Sequence, residues 1–194
     1  MSSRPAFLAT LSMCFVLTGC AGTDFVRPST DTLKLGQTTY SQVVQQFGQP
    51  RREGTMLKND KTIKAISYAY ASLGGEPLHA GVVPARGMTY YFFNDTLVGY
   101  GFVSSWKEDN TDFDEKKVEM IVKGKSTRAD VVVLMGKPSG YYAYPLIKSD
   151  TDEAAVYAFV EARMNRTSQR KSLAVSFDKG DVVSDVEFTT SEGQ

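Results

Sequence analysis

Cysteine and histidine are scarce in this sequence, and neither sign of charge is in excess. The 194 residues contain 2 Cys and 1 His, and basic and acidic residues are equal in number, 22 of each. The balanced charge gives no electrostatic reason to bind nucleic acid or an anionic surface. One histidine and so few thiols argue against a zinc site. Apolar residues, in contrast, make up 42% of the chain, which is ordinary for a globular protein with a core.

The N-terminal segment has the parts of a secretion signal. Arg4 is the only charge before an apolar stretch from about residue 6 to 17, which is well short of the roughly 20 residues of a membrane-spanning helix. The sequence Leu17-Thr18-Gly19-Cys20 that follows resembles the lipobox of bacterial lipoproteins. In that class the signal is cut before the cysteine, which then carries lipid. The resemblance implies a signal peptide over residues 1–19 and lipidation of Cys20; the alternative is an ordinary secretion signal that happens to contain a cysteine.

Cysteine usage fits attachment to a membrane. Cys14 lies inside the signal, so Cys20 would be the one cysteine of the mature chain, and neither a disulfide nor a thiolate metal site can form. A lipobox product normally carries three acyl chains, and two or more chains anchor a protein stably. Ala21 follows the cysteine, and by resemblance to enterobacterial sorting rules this favours the outer membrane. Residues 20–34 are polar and predict a flexible tether between lipid and domain.

A pattern of fifteen residues occurs twice without a gap, over residues 36–50 and 124–138. Each copy predicts a helix of about ten residues that is marginal alone and must pack on something. Thr39 and Thr127 are candidate N-caps, with Gln42 and Asp130 three residues later to complete the cap. A glycine and then a proline end each copy. The predicted buried residues are Val43, Val44 and Phe47 in the first copy and Val131, Val132 and Met135 in the second.

Strand-like runs follow each predicted helix. They occupy residues 63–70, 88–93 and 97–103 after the first helix and residues 155–160, 172–177 and 182–188 after the second. Asn94-Asp95 and residues 178–181 read as hairpin turns. A further helix is predicted over residues 113–122. The predicted fold is α+β, with two tandem modules that each place a helix before a three-stranded antiparallel meander.

The predicted organisation has a module at residues 35–106, a linker at 107–112, a second module at 113–190 and a tail at 191–194. The repeated frame Gly-x-[Thr/Ser]-Thr…Val-Val…Gly-x-Pro, followed by three strands, resembles the SmpA/OmlA family, also called BamE-like. These are small outer-membrane lipoproteins of α-α-β-β-β fold, and the best-known member is an accessory subunit of the machinery that assembles outer-membrane β-barrels. The beta-lactamase inhibitor protein of the same fold group carries two such modules in tandem.

Catalytic chemistry finds little support in the residues. The only histidine, His79, lies in a Gly/Pro-rich loop, and no Gly-x-Ser-x-Gly motif accompanies it. The carboxylates near Asp150 and Glu153 are typical of a solvated connection. We therefore expect no enzyme activity, no cofactor, no metal and no small-molecule substrate.

Two stretches are candidate partner-binding surfaces. The loop from residue 74 to 87 contains apolar side chains with no obvious strand partner, and an aromatic stretch follows the second predicted helix. Aromatic residues are favoured anchors at interfaces, although these tyrosines could equally cover the sheet edge. The candidate residues are Leu78, His79, Val82, Val83, Tyr141, Tyr142 and Tyr144.

The leading hypothesis is a periplasm-facing lipoprotein of the outer membrane, anchored through Cys20, that binds an envelope protein and supports envelope or outer-membrane protein assembly. The alternative is an inhibitor or regulator that binds a secreted or periplasmic enzyme through its sheet face. An exposed, aromatic-lined sheet face would favour the alternative. A hydrolase or ligand carrier is a third possibility; the scarcity of histidine argues against a hydrolase, and a deep apolar pocket would favour a carrier.

Overall fold

The computed structural model describes residues 24–164 and 167–193, so the predicted signal peptide and Cys20 lie outside the described residues. The fold consists of short helices and a large antiparallel sheet, which confirms the predicted α+β class. The elements in chain order are α1 (Tyr40–Phe47), β1 (Arg52–Lys58), β2 (Lys61–Ala71), β3 (Val82–Val83), β4 (Ala85–Phe93), β5 (Thr96–Ser104), a 3₁₀ helix (Glu115–Met120), α2 (Arg128–Met135), β6 (Gly140–Tyr142), β7 (Glu153–Arg163), β8 (Ser168–Phe177) and β9 (Val183–Gly193).

All the strands belong to a single sheet with the order β1-β2-β4-β5-β6-β7-β8-β9, and β3 pairs with β7 beside this path. The first half of the chain, residues 24–106, contributes β1 to β5. The second half, residues 111–164 and 167–193, contributes β6 to β9. The halves join where β6 pairs with β5 on one side and with β7 on the other. The sheet is therefore continuous across the join.

The two α-helices begin and end in the same way. The Thr39 hydroxyl accepts from the Gln42 amide, and the Gln42 side chain accepts from the Thr39 amide; Thr127 and Asp130 make the same reciprocal pair. Each helix ends at a glycine with φ of 82°, a left-handed conformation that favours glycine. These contacts confirm the predicted caps. Both helices span eight residues, slightly fewer than predicted.

Other hydrogen bonds also recur between the halves. Gly36 donates to the Leu97 carbonyl and Gly124 to the Val183 carbonyl, so each helix is preceded by a turn fixed to the last strand of its own half. A tyrosine from the second strand after each helix donates to the terminal glycine carbonyl of that helix, at 2.7 Å for Tyr68 of β2 and 3.2 Å for Tyr157 of β7. Burial raises the pKa of both tyrosines to about 12.

Both helices pack on one face of the sheet. Tyr141 pairs with Tyr100 across β5 and β6 and packs against the clusters of both halves, so this face is shared. The first cluster contains Leu33, Val43, Ile66, Met88, Tyr90, Phe92, Leu97, Tyr100 and Phe102. The second contains Phe113, Ile121, Val131, Ala155, Tyr157, Leu173, Val175, Phe177 and Val183. Of the predicted inward residues, Val132 is wrong, since it is 42% exposed.

The face away from the helices is concave. Lys58 in β1 and Glu187 in β9 belong to the two outermost strands, yet their side chains form an ion pair of 3.2 Å over this face. The connection from residue 143 to 152 lies between them, with Leu146 packed on Ile63 and Val98. The Asn59 side chain donates to two carbonyls of this connection. The sheet therefore curls around residues 143–152 at one end.

The predicted meanders and the predicted third helix need correction. A strand directly follows each α-helix, namely the exposed edge strand β1 and the short strand β6, so each half has a further strand before the predicted meander. The predicted helix over residues 113–122 is a six-residue 3₁₀ helix. Charged side chains and a three-residue length conceal β1 and β6 from a search for alternating patterns.

Residues 24–34, predicted as part of a flexible tether, pack on the first half. Phe25 makes an edge contact with Phe102, with 6.5 Å between ring centroids, and Leu33 is a buried member of the first cluster. The Arg27 side chain donates to the Pro138 carbonyl over 2.6 Å. The polar composition of this segment predicted a tether, but its few apolar side chains pack on the first cluster and hold it there.

Candidate functional site

The loop between β2 and β4 is mostly a structural connection. Val82 and Val83, predicted to lack a strand partner, form β3 and pair with Arg163 and Ala162 of β7. Val82 is 1% exposed, so it is not available to a partner protein. Leu78 is half-buried and donates its amide to the Ser105 carbonyl. The prediction is therefore wrong for Val82, and the loop connects the first half to the second.

His79 is the exposed candidate residue of this loop and contacts a buried carboxylate. Its Nδ1 lies 2.7 Å from Glu161 Oε2, and the Arg163 guanidinium donates to the other carboxylate oxygen. Glu161 is only 1% exposed. Burial alone would raise the pKa of Glu161, but the hydrogen bonds from His79 and Arg163 outweigh it and hold the pKa below its usual value. His79 thus completes an ion-pair cluster between loop and sheet, and no nucleophile accompanies it in these contacts.

The aromatic stretch after α2 lies at the join between the halves. Tyr141 packs edge-on against Tyr100, with 6.0 Å between centroids, on the helix face. Tyr142 points to the concave face and packs edge-on against Tyr91, with 5.5 Å between centroids. Burial raises the pKa of Tyr142 well above its usual value. These two residues pack inside the fold, and Tyr144 is half-exposed beside them.

Each half buries one cation at an equivalent place in its sheet. Arg86 in β4 is 4% exposed; it bonds to Asp109 over 2.8 Å and to Asp24 over 3.2 Å, and it also pairs with Glu108. Its guanidinium lies 4.5 Å from the centroid of the Trp106 ring.

Lys171 in β8 is the counterpart of Arg86. It is 8% exposed, pairs with Asp112 and donates to the Phe113 carbonyl over 2.9 Å. In both halves a buried cation therefore holds the segment that precedes the helix.

A signal for these ion pairs is present in the sequence. The tripeptide Thr-Asp-Phe occurs at residues 23–25 and again at 111–113, with the same spacing as the helix repeat. Asp24 and Asp112 bind the two cations, and Phe25 and Phe113 pack against the two clusters. The repeat therefore begins earlier than the predicted starts at Gly36 and Gly124.

The outer face of α2 is apolar and exposed. Val132 is 42% and Val133 84% exposed, and two further exposed apolar residues, Met120 and Val122, lie in the segment that leads into α2. The equivalent residues of the first half are the half-buried Val44 and the polar Gln45, Thr32 and Lys34. Exposed apolar side chains on a helix surface are typical of protein-binding sites. This surface, Met120, Val122, Val132 and Val133, is called here the α2 surface.

An apolar groove of about 690 Å³ lies beside α1 in the first half. Phe25, Phe47, Tyr68, Met88 and Tyr90 are among its lining residues. The Tyr90 hydroxyl is buried and has no hydrogen-bond partner among the described residues. In the second half, Val118 of the 3₁₀ helix packs on the equivalent cluster, and Lys117 donates to the Leu134 carbonyl of α2. The first half has no helix at this position within its described residues.

Residues 24–164 and 167–193 contain neither a candidate metal site nor a membrane-spanning helix. No group of three or more His, Cys, Asp or Glu side chains in these ranges could hold a metal ion. None of the helices in the same ranges is long and apolar enough to cross a bilayer.

Comparison with known proteins gives a family match for the second half. Residues 111–187 match the family model of the outer membrane protein assembly factor BamE domain. No curated protein gives a significant match. Among solved structures, a candidate beta-lactamase inhibitor protein from Streptococcus mutans is 12% identical and covers 78% of this chain and 82% of its own, with a TM-score of 0.36. A TM-score of this size does not establish a shared fold. The family match begins at Thr111, where the Thr-Asp-Phe tripeptide recurs, so the second half of the chain is similar to the BamE domain.

Proposed function

We propose that the protein is a lipid-anchored, periplasm-facing binding module of the outer membrane that supports outer-membrane protein assembly by holding an envelope protein. The BamE match over residues 111–187 and the lipobox that ends at Cys20 support this proposal. The observation that carries it is the α2 surface, because it exposes apolar side chains on the helix of the half that matches BamE.

We also propose that the halves are tandem copies of one BamE-like module. The support comes from the recurring contacts: two capping boxes, two glycine helix ends, two tyrosine–glycine hydrogen bonds and two buried cations. Under this proposal only the second copy retains an apolar outer helix face, so the second copy holds the partner. The first copy would then serve for attachment to the membrane and to its neighbour.

The test is co-purification from detergent-solubilised envelopes with two matched variants. Val133→Asp places a charge on the α2 surface, and Gln45→Asp places the same charge at the equivalent position of α1. We expect the unaltered protein and Gln45→Asp to retain a common envelope partner, and Val133→Asp to lose it. Retention by both variants would mean that the α2 surface is not the interface. Absence of any specific envelope protein from the unaltered sample would overturn the binding function itself.

The inhibitor hypothesis depends on the concave face. The aromatic residues of that face, Tyr91, Phe93 and Tyr142, pack around Leu146. They are partly covered by the connection that carries Leu146, so the exposed, aromatic-lined surface expected of an inhibitor has less support than the α2 surface.

A further inference from the structure

The first described residues are fixed to one end of the first half. Asp24 is bound to Arg86 over 3.2 Å, and Phe25 packs on Phe102. The Arg86 guanidinium also lies over the Trp106 ring. Asp24 and Trp106 are therefore neighbours that contact the same side chain, and the described residues begin at this point.

The chain between Cys20 and Asp24 is short. Three residues separate them, and a fully extended chain spans at most about 3.6 Å per residue, so the two Cα atoms lie within about 15 Å of each other. A tether over residues 20–34 would have reached several times farther. The Asp24–Arg86 contact therefore sets how far the folded part can lie from the lipid.

We propose that the end of the first half formed by Tyr70, Leu73 and Trp106 lies against the lipid bilayer; this inference rests on the proposed lipid at Cys20. The contact orients the whole molecule, because the sheet is continuous from β1 to β9. It also gives the first half a role that the second half, with its BamE match, does not have.

The side chains at this end suit the boundary between lipid and water. Trp106 stacks on Tyr70, with 6.1 Å between centroids and 14° between planes, and Trp and Tyr are enriched at membrane interfaces. Leu73 is 79% exposed in the adjacent turn. Gly75 fits against the Trp106 ring because a Cβ atom there would lie only 2.3 Å from it. An exposed leucine beside a stacked aromatic pair is explained by burial in the headgroup region.

The contact with the bilayer does not depend on electrostatic attraction to anionic lipid. The ion-paired groups here are the carboxylates of Asp24, Glu76, Glu108 and Asp109 and the cations Arg86 and Lys107. Carboxylates outnumber cations, so a basic patch that attracts anionic lipid is absent from these pairs. The short chain to Cys20 and the apolar side chains would hold this end on the bilayer, and we expect the contact on a zwitterionic membrane.

Trp106 makes the inference testable because it is the only tryptophan, 1 in the chain. The lipidated protein is reconstituted into vesicles of zwitterionic phosphatidylcholine with and without a headgroup-nitroxide lipid, which quenches tryptophan only at close range. The matched control inserts about ten Gly and Ser residues between Gly22 and Thr23, which adds a flexible chain of roughly 17 Å. Cys20→Ser serves as the soluble reference, and circular dichroism verifies that the variants fold.

We expect loss of Trp106 fluorescence in nitroxide vesicles for the unaltered lipidated protein, and no loss for Cys20→Ser. The spacer variant should stay on the vesicles but lose most of the quenching, and Leu73→Ser should lose part of it. If the lipidated protein sediments with the vesicles while Trp106 stays unquenched, the orientation is wrong and the anchor stands. If mass spectrometry finds no lipid on Cys20 and nothing sediments, the anchor and the orientation both fail.

Discussion

The two halves of the molecule have the same helix caps, the same tyrosine–glycine bonds and the same buried-cation position, yet they differ on their surfaces. The first half has a polar helix face and an open apolar groove. The second half fills the equivalent region with a 3₁₀ helix and leaves the outer face of α2 apolar. Residues that form the fold thus recur, while residues that contact something else diverge. The differences between equivalent positions therefore point to function better than the repeat itself does.

The largest losses of stability should come from removing the two buried cations. We expect Arg86→Met to lower the free energy of unfolding by about 3 kcal/mol, because Asp24, Glu108 and Asp109 then all lose the guanidinium that they share. Lys171→Met should cost less, about 2 kcal/mol, since that amine holds one carboxylate and one carbonyl. Urea unfolding measures both values.

Lys107→Met is the control for this comparison. Lys107 pairs with Glu76 on the surface, where both side chains are well exposed, so its loss should change stability by less than about 1 kcal/mol. If Arg86→Met costs no more than this control, Arg86 does not hold residues 24–25 in place. The short connection to Cys20 would then lose its structural basis.

Substitution of the buried helix valines should show that α1 and α2 pack equally well on their clusters. Val43 and Val131 are both fully buried at the same position of their helices. We expect Val43→Ala and Val131→Ala each to cost about 2 kcal/mol, from lost apolar burial and the cavity left behind. Chemical denaturation of the two variants gives the values. A clear inequality would mean that the helices pack differently despite their shared caps.

Local sequence patterns were sufficient for the elements that are stabilised locally. The capping threonines, the terminal glycines and the Asn94-Asp95 turn predicted both helices and a hairpin correctly, because each depends on contacts within a few residues. β1 was missed because its side chains are almost all exposed, which removes the alternation that marks a strand.

Val82 was wrongly predicted as a binding residue for a different reason. It pairs with Arg163 in a strand of the other half, and a local pattern contains no information about such a long-range pair. Val132 was assigned to the core because α2 is apolar at every position from Val131 to Met135. An unbroken apolar run does not indicate which side of a helix faces the core.

Removal of a tyrosine hydroxyl should have opposite effects on stability at Tyr90, in the groove, and at Tyr157, in the second half. We expect Tyr90→Phe to raise the free energy of unfolding by about 1 kcal/mol, since it removes a buried hydroxyl that has no partner among the described residues. Tyr157→Phe should lower it by about 1 kcal/mol, because the Tyr157 hydroxyl donates to Gly136. Thermal melts of both variants measure the two signs. A destabilised Tyr90→Phe would show that this hydroxyl is satisfied in the groove.

The smallest expected effect on stability is the acid sensitivity of the two helix caps. Asp130 receives hydrogen bonds from the Thr127 backbone and side chain, and these hold the pKa of its carboxyl below the ordinary value of 3.8. A carboxyl whose folded pKa is depressed stabilises the fold above its unfolded pKa and loses that contribution as the pH falls through the folded value. Gln42 occupies the same position in α1 and does not titrate.

Asp130→Asn should therefore be less stable than the unaltered protein at neutral pH, and this gap in the free energy of unfolding should close below about pH 4. The gap for Gln42→Asn should not change over that range, and urea unfolding across the pH series measures both. A gap for Asp130→Asn that persists in acid would mean that its shape, rather than its charge, caps α2, and the two caps would then be equivalent in this respect as well.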